Sequence, residues 1–220
     1  MNKVTTVEEA FSHIKDNDTI MVGGFLMCGS PEYLIHTFLD HPSKGLTIVN
    51  NDMGEYGSSL TPLLASGRVT DLICTWIVRN PAAQAMYKAN PKCLHINPQG
   101  TLTERIRAGG FGIAAFYTPT GVGTIIEEGK DTRWFNGRKY IMETALRANV
   151  AFIHANVADE SGNIFMKGSS KNYNAAMATA ADYVIVEAEE IVPVGDIDPE
   201  LVTVSGIYVN AVVPIPKQDK

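Results

Sequence analysis

Cysteine is scarce in this chain of 220 residues: Cys28, Cys74 and Cys93 are all there is. An odd count without the close pairs of a zinc site offers neither a disulfide framework nor a metal cluster, and it fits a reducing, cytoplasmic setting. Positive charge is also short. Eighteen Lys and Arg against 24 Asp and Glu leave a formal net charge of -6, so nucleic acid and anionic membrane find no general basic footprint. Long apolar runs are missing too. The opening MNKVTTVEEAFSHIKDND mixes acids among its apolar residues, so neither a signal peptide nor a membrane span is expected there. Finally, the chain has no G-x-G-x-x-G, no Walker loop, no G-x-S-x-G elbow and no H-E-x-x-H. The usual fingerprints of a dinucleotide site, a P-loop, a serine hydrolase and a zinc protease are therefore excluded. What remains is 45% hydrophobic and 19% charged, an ordinary globular composition long enough to bury a sizeable core.

Thr6 and Glu9 have capping-box spacing ahead of Ala10, Phe11 and Ile14, which predicts a short first helix. Compact apolar runs then alternate with helical segments. TIMV (19–22) precedes a helix through YLIHTFL; LTIV (46–49) precedes TPLLASG; VTDLICTW (69–76) precedes NPAAQAMYKAN; CLHIN (93–97) precedes PQGTLTERIRAGG. Four strand-loop-helix units imply a mainly parallel sheet covered on both faces, with right-handed crossovers. FYTPTGVGT and the Asn136-Gly137 pair in RWFNGRKY signal instead a loop and an antiparallel hairpin insertion. VAFIHAN (150–156) and DYVIVEAE (182–189) return to strand composition, with a turn at ESGN and a helix at NAAMATAA between them. No repeat or low-complexity linker interrupts the chain, so residues 1–220 are expected to fold as a single domain.

In an open α/β sheet, ligands bind beyond the carboxyl ends of the strands, and the loops there hold the unusual residues. After the first strand comes GGFLMCGSP, from Gly23 to Pro31. Its glycines allow positive φ and close backbone approach, and the following helix start suits a phosphate or carboxylate, although a tight turn without ligand explains them equally. After the second strand stand Asn50, Asn51 and Asp52, able to hydrogen-bond a polar ligand or simply to satisfy their own loop. After the fourth comes Gln99, ahead of a helix bearing Glu104, Arg105 and Arg107. A fixed amide donor at Gln99 suits an oxyanion growing on a thioester or anhydride carbonyl, and of the two arginines one at most faces a given ligand. The histidines, His13, His36, His41, His95 and His154, lie in no motif, and Glu104, Glu127 and Glu128 read as solvated acids rather than nucleophiles. The site is furnished to bind and polarise a substrate, without an evident group to attack it.

DNDTIMVGGFLMCGSP resembles the α-subunit signature of family I coenzyme A transferases at Asp16, Asn17, Ile20, Met21, Val22, Gly23, Gly24, Phe25, Gly29 and Pro31. PQGTLTERIRAGGFGIAAFYTPTGVGT (98–124) and EEIVPVG near the end are similar to stretches of the 3-oxoacid, acetoacetate-type members. The resemblance spans essentially the whole chain. It implies a three-layer α/β/α fold with a Rossmann-like sheet, and an enzyme that moves coenzyme A between a short acyl-CoA and a free carboxylate of the acetate, butyrate or acetoacetate kind. Coenzyme A enters as a substrate, with no tightly bound cofactor, no metal and no ATP. The reaction implied is ping-pong through a glutamyl-CoA thioester, the glutamate being on a β subunit; an α2β2 assembly follows, with self-association of the α chain a further expectation. Carried over by position, Gly23, Gly24, Phe25, Leu26, Met27, Cys28 and Gly29 form the coenzyme A-binding loop, Asn50 and Asn51 belong to the substrate pocket, and Gln99 supports the oxyanion. The glycine segment is equally suited to close approach of the two subunits.

Overall fold

The fold is that of a computed structural model, which describes residues 1–217. Helix α1 (Val7–Phe11) begins at its predicted cap: Thr6 is extended and its Oγ1 accepts from the Glu9 amide at 3.3 Å. Alternating units follow as β1 (Thr19–Val22), α2 (Glu32–Thr37), β2 (Leu46–Val49), α3 (Leu60–Ala65), β3 (Val69–Cys74), α4 (Pro81–Ala89), β4 (Leu94–Ile96) and α5 (Gln99–Gly110). An insertion holds β5 (Ala115–Thr118), β6 (Thr132–Phe135) and β7 (Arg138–Thr144). The chain then continues as β8 (Ala148–Asp159), β9 (Ile164–Phe165), α6 (Asn172–Ala180), β10 (Ala181–Val192) and β11 (Ala211–Pro214).

The main sheet runs β11-β10-β8-β1-β2-β3-β4 with every neighbouring pair parallel, and β9 lies antiparallel on β8. β1 shows no polar alternation because both of its faces are covered. Ile20 and Val22 sit in one apolar core with Phe11, Leu34, Leu63 and Ala83, while Met21 sits in the other with Leu102, Ile106 and Met177. Helices α1 to α4 thus cover one face, α5 and α6 the other, giving the three layers implied by the sequence. The insertion forms its own antiparallel sheet, β5-β7-β6. Its hairpin turns at Asn136 and Gly137, with φ of 48° and 75°, the geometry of a two-residue type I′ turn.

Four elements depart from the sequence expectation. β8 and β10 run 12 residues each, past their apolar windows, because their carboxyl halves pair with one another through Glu190–Val157 and Val192–Asp159. β4 is cut to three residues at an edge, with His95 and Ile96 exposed. β11 is a strand the sequence did not announce: it closes the other edge parallel to Ile185–Ala188 and ends in Pro214, which an edge strand tolerates because it lacks only a donor.

Candidate functional site

The loops after β1, β3 and β4 open on one cleft of about 440 Å³, faced by Phe25, Thr75, Trp76, Asn97 and Gln99, with Ile126 of the insertion on its far side. The cleft lies where strand polarity places it, beyond the carboxyl ends of a parallel sheet.

The β1 loop is unusually constrained. Gly24 and Gly29 have φ of 104° and 65°, and two residues with side chains share the left-handed region, Leu26 at 47° and Met27 at 72°. Phe25 and Cys28 exchange backbone hydrogen bonds at 3.1 and 2.9 Å across that pair, so the tip is a tight turn held where L-residues are disfavoured. Such a turn needs anchoring. The Leu26 amide donates to Asp52 Oδ2 at 2.9 Å, Asn172 Nδ2 to the Cys28 carbonyl at 2.9 Å and Asn174 Nδ2 to the Gly29 carbonyl at 2.8 Å. The glycines serve this intramolecular packing. A Cβ on Gly23 would stand 1.8 Å from Asn174 Oδ1, and one on Gly29 would stand 2.9 Å from backbone atoms of Ser170. Meanwhile Phe25, Met27 and Cys28 remain exposed at the tip.

Asn50, Asn51 and Asp52 are all buried. Asn50 is spent on the scaffold: its Nδ2 donates to the Val22 carbonyl at 2.8 Å, and its Oδ1 accepts the Asp52 and Met53 amides. Asn51 points the other way. Its Nδ2 donates to Asp52 Oδ2 at 3.0 Å and its Oδ1 accepts from Gln99 Nε2 at 3.0 Å. The structure therefore brings Asn51 and Gln99 together and leaves Gln99 as the exposed member at the cleft wall. The Gln99 backbone is held as well, its carbonyl accepting from Tyr173 Oη at 3.1 Å.

On α5 the two arginines divide as the helix geometry requires. Arg107 pairs with Glu104 in solvent at 2.9 Å. Arg105 turns inward, donating from Nε to the Thr144 carbonyl at 2.8 Å and from Nη1 to Asn97 Oδ1 at 2.6 Å, and burial pulls its pKa down against the opposing pull of Glu143. It braces Asn97, a residue of the cleft wall. Glu127 is engaged by Lys139 and by the Gly123 amide.

Residues that no local pattern singled out lie beneath the β1 loop. Glu187 on β10 is buried, accepts the Leu34 amide of α2 at 2.9 Å and pairs with His154 Nδ1 at 2.9 Å. Burial pushes its pKa up, while His154 and the α2 amides oppose the rise. Its one sequence signal is a carboxylate standing inside the apolar run YVIVEA. Asn174 has none, since its role exists only once α6 meets the loop.

A protein-family model described as coenzyme A transferase matches residues 4–214. The chain belongs to the coenzyme A transferase family. Among related transferases, a chain of the succinyl-CoA:3-ketoacid coenzyme A transferase of Xanthomonas campestris pv. campestris strain B100, named as one subunit of that enzyme, is 46% identical over 200 residues, which is 91% of this chain and 83% of that one. The mouse mitochondrial succinyl-CoA:3-ketoacid coenzyme A transferase 2A is 42% identical over 96% of this chain and 44% of its own length. An acyl-CoA transferase apoenzyme from Escherichia coli O157:H7 superposes with a TM-score of 0.87 over 99% of this chain and 48% of that chain, at 21% identity, a likeness of fold. This transferase chain thus spans about half the length of the mouse and E. coli proteins.

Proposed function

We propose that this chain is the α subunit of a transferase that exchanges coenzyme A between an acyl-CoA and a 3-oxoacid of the acetoacetate kind, completed by a β subunit in an α2β2 assembly. The observation that carries the reading is the Gln99 amide, fixed to Asn51 at 3.0 Å on the wall of the cleft. A side-chain NH2 has two hydrogens, and the bond to Asn51 uses one; the other is free to meet an oxyanion.

The chemistry follows from that placement. From the β subunit, a glutamate carboxylate attacks the thioester carbonyl; a C–O bond forms, the C–S bond breaks, and an acyl-glutamyl anhydride and a coenzyme A thiolate result. The thiolate then attacks the glutamyl carbonyl, releases the first acid and leaves a glutamyl-CoA thioester, from which the second acid regains coenzyme A by the reverse path. Each step builds negative charge on a carbonyl oxygen. Gln99 donates to that charge, the Gly23–Gly29 loop borders the coenzyme A chain with its exposed tip, and Asn51, buried behind Gln99, shapes the pocket through it. Among the described residues, those facing the cleft include no carboxylate or thiol, which supports a nucleophile from the partner. The relatives named for succinyl-CoA and 3-ketoacids favour a succinyl donor over the acetyl or butyryl donors that the sequence suggested.

Co-expression with the β subunit tests this. We expect acetoacetyl-CoA to form from succinyl-CoA and acetoacetate faster than from acetyl-CoA or butyryl-CoA, and the isolated chain to be inactive. Gln99→Ala is expected to lower kcat by ~10²- to 10³-fold with assembly intact. A wild-type kcat in that variant removes Gln99 from the site, and a coenzyme A adduct on this chain, seen by intact mass, removes the division of labour.

A further inference from the structure

An amide side chain can offer either its oxygen or its NH2 to a neighbour, so a glutamine supports an oxyanion only if something decides which end faces the substrate. At Gln99 the choice is made two residues away. Asp52 Oδ2 accepts the Leu26 amide at 2.9 Å and the Asn51 Nδ2 at 3.0 Å, while its Oδ1 accepts the Gly54 amide at 3.0 Å. In this arrangement Asp52 is an acceptor on both oxygens. Asn51 must therefore turn its NH2 toward Asp52, which leaves Oδ1 as the end that meets Gln99. Thr75 Oγ1 donates to the Asn51 backbone carbonyl at 2.7 Å, which holds the residue in place, and lies 3.3 Å from the same Oδ1. Gln99, facing an oxygen, must present Nε2, as it does at 3.0 Å. Asp52 and Asn51 are 3% and 0% exposed, so water does not offer an alternative partner that would blur the direction.

We infer that Asp52 is a positioning residue: through Asn51 it fixes Gln99 with its donor end at the cleft, and through the Leu26 amide it ties that donor to the left-handed tip of the β1 loop. The inference rests on the proposed role of Gln99 as oxyanion donor. It extends that role by assigning a residue that touches neither substrate nor cleft. A carboxylate is needed at position 52 because, among similarly sized side chains, it alone accepts hydrogen bonds without a donor of its own; asparagine there can donate to Asn51 Oδ1, flip Asn51, and turn the Gln99 oxygen toward the growing charge.

The test uses the transferase assembled with its β subunit. Asp52→Asn is expected to lower kcat at least tenfold with KM for acyl-CoA within about twofold of wild type, because the variant keeps the side chain's shape but exchanges one acceptor oxygen for an NH2 donor and so loses direction. The double variant Asp52→Asn/Gln99→Ala is expected to be no slower than Gln99→Ala alone, since both changes remove the same donor. A structural role for Asp52 gives the opposite pattern: a lowered unfolding midpoint, and losses that multiply in the double variant. If Asp52→Asn does not assemble, Asn51→Leu, which breaks the relay while leaving Asp52, must show the same fall in kcat and the same absence of further loss with Gln99→Ala. A wild-type kcat in whichever variant assembles, or multiplicative losses, overturns the inference. A normal kcat in Gln99→Ala alone overturns the proposed function instead, so the two failures are distinguishable.

Discussion

Gly23 shows how a single hydrogen in place of a side chain shapes this site. Its φ needs no glycine; the space does, because Asn174 Oδ1 occupies the volume of the missing Cβ and accepts the His154 amide there at 3.2 Å. Gly23→Ala is therefore expected to cost about 1–3 kcal/mol in urea unfolding, the scale of overpacking a filled interior. Adding Asn174→Ala should recover part of that loss, and a strictly additive double variant would place the cause elsewhere. The glycine-rich segment was legible as a constrained turn at the end of β1, because two glycines after an apolar strand mark a backbone under special demands. Which atom imposes the demand was not legible, since Asn174 lies 145 positions beyond Gly29. The same holds for Asp52. It stood in view beside Asn50 and Asn51, yet its direction toward Leu26 depends on a loop that sequence spacing does not orient.

Among the elements, the buried parallel strands were the most readable, since TIMV and LTIV are short apolar runs bounded by turn residues and need no partner to be recognised. Helix α2 shows the limit. Its six residues are too few to be stable alone, and its first turn is held by Glu187, a residue 153 positions away whose carboxylate accepts the Leu34 amide. That anchor has a pH signature. Burial raises the Glu187 pKa in the folded chain above its unfolded value, so the ionised form is disfavoured by folding. Its contribution to stability is greatest below the unfolded carboxylate range and is lost as pH rises through the elevated value. Relative to Glu187→Gln, the wild-type chain should lose stability across that rise and then level off, as followed by thermal unfolding at stepped pH. Parallel curves for the two proteins would show that Glu187 carries no such linkage. β11 escaped the sequence reading for a related reason: AVVPIP looks like a turn-bound tail until β10 supplies the neighbour that makes it a strand.

At the scale of the whole molecule, one sheet carries two different jobs. Its β1–β4 side presents the cleft, and its β8–β10 side supplies two long strands whose pairing runs from Ala181–Ala148 to Val192–Asp159. If the cleft is completed by a β subunit, the two chains should elute together and give the mass of two α and two β chains by native mass spectrometry. A stable, active αβ pair would correct the stoichiometry without touching the chemistry.

The order of strands also governs how the polypeptide reaches its native state. β1 lies between β2 and β8, so residues 20 and 22 pair with residues 150 and 152. A ribosome that has released roughly the first half of the chain has made every strand on one side of β1 and none on the other, leaving an apolar edge open until β8 emerges. Refolding from denaturant should accordingly be slow for a chain of this size, because closing so long a loop precedes its reward, and the half-made sheet is the species on which chaperones or aggregation will act.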